Sequence, residues 1–423
     1  MIGVRHCHRA FLALVVLAAV SCGGRSPGEP SPLYSTVPSR SLAVMHFEHL
    51  KPALKLLLDS SSVFRSLDYG RLSNSEMILS YDYSAALVPI LAIDAGRAAD
   101  DTSGVVASLL GQASAKNLHC LYTGSALERK MLLLSPSRAA IDEAAVHIAE
   151  GVSILDAQDF KRALELSEGA DGRVLLRGDF AHRWLPKGLM EDIYPRKAVS
   201  SFVSQAAQWT VMDFNSVSAE GIRLRFLPDA LGKSLSAMFG DLPAASCKLA
   251  AALPDSASFV LDIAFKDCRQ YSAAWEKCLD ARAALSKYNG RAASLRRQFG
   301  KKPADWLAGL DPVELARVRW DGHDVLLLRP SRKPKNEGLS DNAYPGYVPA
   351  LFGEAFRLEC DSATLRSGGW IAFGSADDVQ AWADAPKVRS SRDLPGKIKY
   401  LLKTEDLYLF GDDKTTILNV TGD

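Results

Sequence analysis

The sequence predicts an α+β protein of two similar halves, each a mostly antiparallel sheet with packed helices. Two observations predict this class: hairpin turns between β-rich segments, and internal matches that recur in the same order. An Asp-Gly dipeptide at 321–322 lies between the β-rich segments 316–320 and 325–328, and a Glu-Gly dipeptide at 220–221 separates a second pair. Because hairpins pair strands antiparallel, the pattern favours α+β layers over a doubly wound parallel sheet.

Three collinear matches indicate that the chain contains an internal duplication. They pair 37–47 with 253–263, 104–113 with 346–355, and 131–137 with 371–377. In the second match five of ten positions are identical. We therefore divide the folded chain into a first half, 33–232, and a second half, 241–423, and expect the two halves to share a topology.

Each half is expected to begin with an apolar-Pro turn, which is followed by a strand and then by an amphipathic helix. The strands are predicted at 42–47 and 258–263. Apolar residues spaced three and four apart indicate the helices: Leu54, Leu57, Leu58 and Phe64 in the first half, and Tyr271, Trp275, Cys278 and Leu279 in the second. Trp209, Trp275 and Trp320 fall in predicted elements and are expected in the core.

The first 21 residues have the three-part layout of an export signal. Arg5 and Arg9 precede an unbroken apolar run from Ala10 to Val20, and the small residue Ser21 follows. Eleven helical residues span only about 16 Å, roughly half of the hydrocarbon thickness of a bilayer. The run therefore predicts a cleaved signal peptide and not a spanning helix.

Residues 17–22, Leu-Ala-Ala-Val-Ser-Cys, resemble the lipobox of bacterial lipoproteins. The resemblance implies cleavage before Cys22 and thioether diacylation of its sulfur, which gives a palmitate-type lipid anchor. Residues 22–32 are small, polar or proline, cannot bury apolar surface, and are expected to form a flexible tether. Gly23 stands where an inner-membrane retention Asp would stand, so we expect an outer-membrane anchor facing the periplasm.

Charge and cysteine content exclude two classes of protein. The chain holds 50 basic and 49 acidic residues, and this balance lacks the electrostatic footprint of a nucleic-acid binder. Cys120, Cys247, Cys268, Cys278 and Cys360 remain after signal removal and lipidation, an odd number at irregular spacing that is not a disulfide framework. We read them as small buried residues.

No catalytic, metal or cofactor motif occurs in the sequence. His46 and His49 have the right residue type for a metal, but residues three apart on a strand face opposite sides. The segment 180–184, Phe-Ala-His-Arg-Trp, is either a stacking platform for a flat ligand or part of the core. We predict no catalytic residue, no bound metal and no cofactor, although a triad assembled from distant residues stays open.

The most basic run of the chain lies directly after the 321–322 hairpin. Its cations, Arg329, Arg332, Lys333 and Lys335, are interspersed with prolines. One interpretation is a surface that contacts anionic headgroups or lipid-linked sugars beside the membrane. The other is a solvated loop whose charges only keep it hydrated.

Several motifs resemble a set of envelope lipoproteins of Gram-negative bacteria that have no assigned activity. They are the Gly-Val-Val-x-x-Leu-x-Gly block at 104–111, the strand entering a helix at 133–137, and the hairpin at 209–226 that leads to Leu242-Pro243. The resemblance implies a duplicated α+β fold and an envelope location. It transfers no functional residue.

We expect a membrane-anchored lipoprotein with a non-catalytic binding or scaffolding role. Its partners would be the membrane, through Cys22, and another envelope protein or glycan. A periplasmic hydrolase acting on a peptide or glycan is an alternative, and it needs a pocket with converging titratable groups. A carrier of an apolar ligand is another, and it needs a large apolar cavity.

Replacing Cys22 by Ser tests the anchor. Because the signal peptide is too short to hold the protein in a bilayer, losing the lipid should move the protein from the membrane to the soluble periplasmic fraction. Fractionation followed by immunoblotting measures the shift. A Cys360→Ser variant, which leaves position 22 intact, is the control, and membrane retention of the Cys22→Ser protein would contradict the prediction.

Overall fold

A computed structural model describes most of the chain from residue 30 onward. The described residues are 30–50, 54, 59–83, 87–96, 103–123, 130–167, 172–178, 180, 204–214, 223–243, 245–387, 408–411 and 416–420. The predicted signal peptide, Cys22 and the segment 181–203 lie outside them. Within these ranges, no helix is long and apolar enough to cross a membrane.

The fold is α+β and contains two sheets. The strands are β1 (Ala43–Phe47), β2 (Met77–Tyr83), β3 (Leu87–Asp94), β4 (His119–Thr123), β5 (Met131–Ser135), β6 (Gly172–Arg177), β7 (Trp209–Phe214), β8 (Arg223–Leu227), β9 (Ala257–Ala264), β10 (Pro312–Trp320), β11 (His323–Pro330), β12 (Gly338–Asp341), β13 (Ala363–Ser367), β14 (Trp370–Gly374), β15 (Tyr408–Gly411) and β16 (Thr416–Val420). The α-helices are α1 (Ser103–Ala115), α2 (Arg138–Glu150), α3 (Gln158–Glu165), α4 (Leu235–Gly240), α5 (Cys268–Ala281), α6 (Leu285–Phe299), α7 (Pro303–Leu310), α8 (Tyr347–Phe352) and α9 (Ala376–Asp384).

Each sheet holds eight of the described strands. The first sheet has the order β4-β5-β3-β2-β1-β6-β7-β8, and the second has the order β12-β13-β14-β11-β10-β9-β16-β15. Neighbouring described strands pair antiparallel, except that β16 pairs parallel with β9. The expected mostly antiparallel sheets are confirmed.

Five strands have the same spatial order in both sheets. The order β4-β5-β3-β2-β1 in the first corresponds to β13-β14-β11-β10-β9 in the second. Helices α1 and α8 precede β4 and β13, while α2 and α9 follow β5 and β14. The predicted first strands of the two halves, β1 and β9, therefore occupy equivalent interior places. This two-sheet architecture fits an internal duplication, although β12 and the parallel β16 distinguish the second sheet.

Both faces of each sheet are covered, which explains the continuous apolar strands. All five residues of β1 and of β14 are buried. Helix α1 packs in the largest apolar cluster, which includes one face of both sheets, whereas α2 and α3 cover the other face of the first sheet. Helices α5 to α8 belong to the large cluster, and α9 covers the opposite face of the second sheet.

Local signals position the helices that follow β5 and β14. The Ser137 side chain accepts a hydrogen bond from the backbone N–H of Ala140 and caps α2, and Ser375 caps α9 in the same way. These caps pair 137 with 375, so the third sequence match is shifted by two residues from the observed correspondence. Gly151, at φ 68°, ends α2 in the left-handed conformation.

The structure refines two of the predicted elements. The hairpin at 321–322 joins β10 and β11, with Asp321 at φ 42° and Gly322 at φ 87°, as a type I′ turn requires. The helix predicted after β1 is a 3-10 helix at Asp59–Ser66, and residues 55–58 lie outside the described ranges. The sequence at its start, Asp-Ser-Ser-Ser at 59–62, consists of residue types with low α-helix propensity.

The predicted core tryptophans are confirmed as buried. Trp209, Trp275 and Trp320 are at most 4 % exposed. Cys268 and Cys278 lie on one helix, α5, and no disulfide links the five cysteines of the described chain.

A glycine opposite an aromatic ring fixes the close pairing of β1 and β6. Gly172 pairs directly with Phe47, and a Cβ built on Gly172 would lie 2.2 Å from Cδ1 of that ring. Phe47 is itself buried and cannot move outward freely. We expect Gly172→Ala to lower the free energy of unfolding by about 1–3 kcal/mol through overpacking.

Gly290→Ala is the matched control for this substitution. Gly290 lies within α6, and its Cβ would meet no atom within 4 Å. Alanine there should stabilise the protein by up to about 1 kcal/mol because it favours the helix. Urea denaturation of both variants measures the difference, and equal effects would show that the Phe47 ring does not require a glycine at 172.

Candidate functional site: a basic cleft at the end of the second sheet

A cleft of about 960 Å³ lies at one end of the second sheet. Its walls come from the segment after β9, the turn between α7 and β10, and the loop that follows β11. Side chains of β13 and β14 complete it. The cleft therefore collects residues that are distant in sequence but lie at the same end of neighbouring strands.

The lining of the cleft is strongly cationic. Two acidic side chains, Asp267 and Asp311, lie among five cationic ones. The cations are Lys266, Arg269, Arg332, Lys335 and Arg366. Arg366 contacts the hydroxyl of Ser340 at 3.4 Å, and across the described ranges none of the five forms an ion pair within 4 Å.

The acidic residues of the cleft are already engaged in holding its walls. Asp267 caps α5, accepting hydrogen bonds from the backbone N–H groups of Arg269 and Gln270. Asp311, in the left-handed conformation, accepts from the hydroxyl of Ser331, while its carbonyl oxygen accepts from the Ser331 N–H at 2.8 Å. These contacts fix the start of the basic loop and leave the cations facing the cleft.

The structure separates the four predicted surface-contact residues. Arg332 and Lys335 line the cleft and are exposed. Lys333 is exposed as well, but its side-chain carbons lie 3.7 and 3.8 Å from the Cβ position of Gly369, and it is not among the lining residues. Arg329 belongs inside the fold, because its Nε donates to the buried carboxylate of Glu314 at 2.6 Å.

A second cavity of about 300 Å³ adjoins the cleft. It shares four lining residues with the cleft: Gly309, Leu310, Arg366 and Ile371. Aromatic side chains of Trp306, Tyr344 and Phe373 line its other walls. Sequence reasoning missed this pocket, since aromatic residues at helical or strand spacing are read as core.

A cavity of about 610 Å³ at the C-terminal end of α5 contrasts with the cleft. Two of its cations are engaged: the guanidinium of Arg177 lies 5.1 Å from the Trp209 ring centroid, and Arg282 donates to Gln205 at 2.7 Å. Burial alone would raise the pKa of Asp229. Hydrogen bonds from nearby backbone groups and from Ser234 outweigh this effect, so the pKa of Asp229 is lower than usual. This cavity offers fewer uncommitted cations than the cleft.

A buried charged cluster lies next to the cleft, on the face of the second sheet that α9 covers. Glu314 is fully buried and accepts from Arg329 and from the backbone N–H groups of Lys248 and Leu249, at 2.6 to 3.0 Å. The thiol of Cys247 lies 3.0 Å from Oδ2 of Asp262, which is also fully buried. The cluster ties the segment before β9 to the sheet.

The first half carries a related cluster at the same place. His46 in β1 and Asp262 in β9 occupy equivalent positions in their sheets. In each half, a glutamate lies two residues before the residue that pairs with this position on the neighbouring strand: Glu76 in the first half and Glu314 in the second. In the first half, Nε2 of His46 contacts Glu76 at 2.7 Å and its Nδ1 contacts the Tyr34 hydroxyl at 3.1 Å. Both clusters neutralise charge within a covered sheet face.

The second cluster contains the atoms of a metal site but is already satisfied. Ligand atoms of Cys247, Asp262 and Glu314 lie within 4.8 Å of one another. A divalent cation there would have to displace the guanidinium of Arg329 from Glu314 and remove the proton of a thiol whose pKa is raised well above its usual value by burial and by the neighbouring carboxylates. The residues therefore fit a structural charge cluster better than a metal centre.

Within the described ranges, His46, His49 and His323 do not contact a Ser or Cys nucleophile. His46 contacts Tyr34 and Glu76, and His49 contacts the carbonyl oxygen of Asn74 at 3.0 Å. His323 lies 2.9 Å from Asp378, whose other oxygen accepts from Ser375. Of the proposed stacking segment 180–184, only Phe180 is described, and it is 2 % exposed; His182 and Trp184 lie outside the described residues.

The chain matches no family model, no curated protein and no solved structure. The resemblance to envelope lipoproteins thus rests on the sequence motifs alone and stays a prediction.

The buried cluster predicts an unusual pH dependence of stability. Burial, and then the charge of Glu314, raise the pKa of Asp262 well above its usual value, so the folded state favours the protonated carboxyl. An unfolded Asp ionises near pH 4, so this contribution is complete below that pH and is lost as the pH rises toward the raised pKa. Asp262→Asn should therefore raise the free energy of unfolding by roughly 1–3 kcal/mol near pH 8 and change little near pH 4.

Urea denaturation at both pH values measures this effect, with Asp341→Asn as the control. Asp341 is an exposed carboxylate on β12, and no shift of stability is expected there. A loss of stability near pH 8 in the Asp262→Asn protein would show that the aspartate is ionised and held by its partners.

Proposed function

We propose that this protein is a lipid-anchored envelope lipoprotein whose folded body binds, without catalysis, the anionic group of an envelope lipid or a lipid-linked glycan. The observation that carries the proposal is the set of five cationic side chains that line the cleft without ion-pair partners in the described chain. Charges of one sign gathered in a concave site raise the local potential and attract anions.

The charge of the whole chain makes this concentration informative. The formal net charge is only +1, so a strongly cationic surface is not a by-product of a basic composition. Surface cations usually have acidic neighbours in a chain of balanced charge, and the two acids of this cleft are instead committed to α5 and to the basic loop. An external anion would supply the missing countercharge.

The anchor would keep the cleft near its ligand. Cys22 and Pro30 are eight Cα-to-Cα steps apart, so an extended tether reaches at most about 28 Å. Anionic lipids attract Lys and Arg side chains by about 1 kcal/mol each, but only within a Debye length of the surface. A tethered body would therefore meet headgroups repeatedly, which supports the choice of a membrane component as the ligand.

The hydrolase alternative has less support in the described structure. There, no histidine contacts both a Ser or Cys side chain and an orienting carboxylate, and the described cleft is lined by arginine and lysine. Arginine and lysine bind and orient anions readily but do not act as general bases at neutral pH without strong perturbation. The apolar carrier would need an apolar cavity, whereas the cleft and its neighbours are lined in part by charged groups.

Two lysines in the same loop provide a matched test of the proposal. We expect Lys335→Glu, in the cleft, to weaken binding to phosphatidylglycerol vesicles about tenfold, because it changes two charge units at the binding surface. Lys333→Glu makes the same change outside the lining and should weaken binding much less. Both are made in the Cys22→Ser background, so that the lipid anchor does not contribute, and vesicle co-sedimentation measures the affinity.

Salt and a neutral lipid complete the test. Binding should fall as ionic strength rises, and it should be absent on phosphatidylcholine vesicles. Equal losses in the Lys335→Glu and Lys333→Glu proteins would show general electrostatic attraction and would contradict a role for the cleft. An absence of binding to any anionic vesicle would contradict the proposed function itself.

A further inference from the structure

We infer that the basic cleft and the aromatic pocket beside it form one elongated site for a sugar phosphate, with the phosphate in the cleft and the sugar ring in the pocket. The inference rests on the proposed function and names the chemical class of its ligand. The sugar phosphate could be free, or it could be the headgroup of a glycosylated lipid, since both present the same two groups.

The two cavities are continuous. They share Gly309 and Leu310 at the end of α7, Arg366 of β13 and Ile371 of β14. Gly309 contributes no side chain at this junction, and a Cβ there would meet only Nζ of Lys301, at 3.6 Å. A ligand can therefore extend from one cavity into the other past the backbone of α7.

The pocket offers an aromatic surface with one accessible ring. Trp306 and Phe373 are 5 % and 4 % exposed, whereas Tyr344 is only partly buried. The Tyr344 ring centroid lies 6.2 Å from that of Trp306 and 5.1 Å from that of Tyr347. Tyr344 is thus supported from behind by buried rings and can pack against the apolar face of a ligand ring.

Polar groups at the rim of the pocket match a hydroxylated ring better than a hydrocarbon chain. Ser340, Asp341 and Asn342 line it from the edge strand β12 and the turn after it. Asn342 is fixed, since its Oδ1 accepts from the Tyr344 N–H at 3.0 Å and its Nδ2 donates to Asp361 at 2.6 Å. A site that combines an aromatic face with fixed polar groups needs little reorganisation on binding.

The charges orient the ligand. Asp341 is exposed and, in the described structure, forms no ion pair, so it accepts sugar hydroxyl groups and repels a phosphate. Lys266, Arg269, Arg332 and Lys335 line only the cleft, whereas Lys301 lines only the pocket, with its Nζ 3.6 Å from the Cβ position of Gly309 at the junction. Arg366 lines both cavities, so a phosphate at the junction would lie among cations from both sides.

Titration calorimetry on the full chain in the Cys22→Ser background tests the inference. The probes are glucose 1-phosphate, inorganic phosphate and glucose. We expect glucose 1-phosphate to bind at least about tenfold more tightly than either of the others, because only it fills both cavities. Lys335→Glu should weaken glucose 1-phosphate and inorganic phosphate alike.

Pocket variants should remove the preference and leave phosphate binding intact. Tyr344→Ala should reduce the preference for glucose 1-phosphate over inorganic phosphate to about threefold or less, since the ring surface is lost. Gly309→Leu, at an exposed site where the Cβ would meet only the flexible end of Lys301, narrows the junction with little risk to folding and should have the same effect. Tyr122→Ala removes a tyrosine that is 38 % exposed on the first sheet and should change neither affinity.

The outcomes distinguish this inference from the proposed function. Lys335-dependent binding of inorganic phosphate and anionic vesicles, with no added affinity for glucose 1-phosphate, would overturn the sugar phosphate site and leave the proposed function standing. A preference for the sugar phosphate over inorganic phosphate that is seen only with vesicles carrying a polyprenyl-phosphate sugar would support the site. It would also show that the ligand is a membrane component. A preference that survives both Tyr344→Ala and Gly309→Leu would overturn the inference.

Discussion

The covering of both faces of each sheet is the constraint on which the rest of the structure depends. A strand that is buried on both sides can carry a charge only if a partner neutralises it in place, because an unpaired buried charge costs several kcal/mol. Arg317 of β10 therefore pairs with Asp324 of β11, and Glu314 pairs with Arg329. Cations without such partners lie toward the ends of the strands, where Lys266 and Arg332 line the cleft.

The same constraint explains what the two halves keep and what they change. A glutamate at the start of β10 and one just before β2 hold equivalent places, but their partners differ: Arg329 faces Glu314, whereas His46 faces Glu76. Each half gives its carboxylate, fully buried in Glu314 and partly buried in Glu76, a partner from a neighbouring strand. A change at one of these positions requires a matching change in its partner. The two halves therefore differ in sequence at these positions, while the strand order β4-β5-β3-β2-β1 and its counterpart persist.

Sequence patterns could predict elements whose signals are local, and they could not predict contacts that depend on tertiary placement. The hairpin at 321–322, helix α5 and the repeated order of elements follow from turn chemistry, apolar spacing and internal matches. The parallel strand β16 follows from none of these, because its partner β9 is more than 150 residues away. The basic loop was visible in the sequence, but its division into Arg329, which points inward, and Arg332, which lines the cleft, required the fold.

The end of β11 and the loop after it link the interior of the second half to its cleft. Arg329, near the end of β11, pairs with Glu314 and thereby helps hold the segment before β9. Two residues later, Ser331 is hydrogen-bonded to Asp311. The loop therefore leaves the sheet in a fixed direction, and Arg332 and Lys335 follow in the cleft. Because the start of the loop is already fixed, less backbone entropy would be lost if the loop bound an anion. The buried charge cluster thus contributes to the cleft indirectly, by fixing the backbone that carries it.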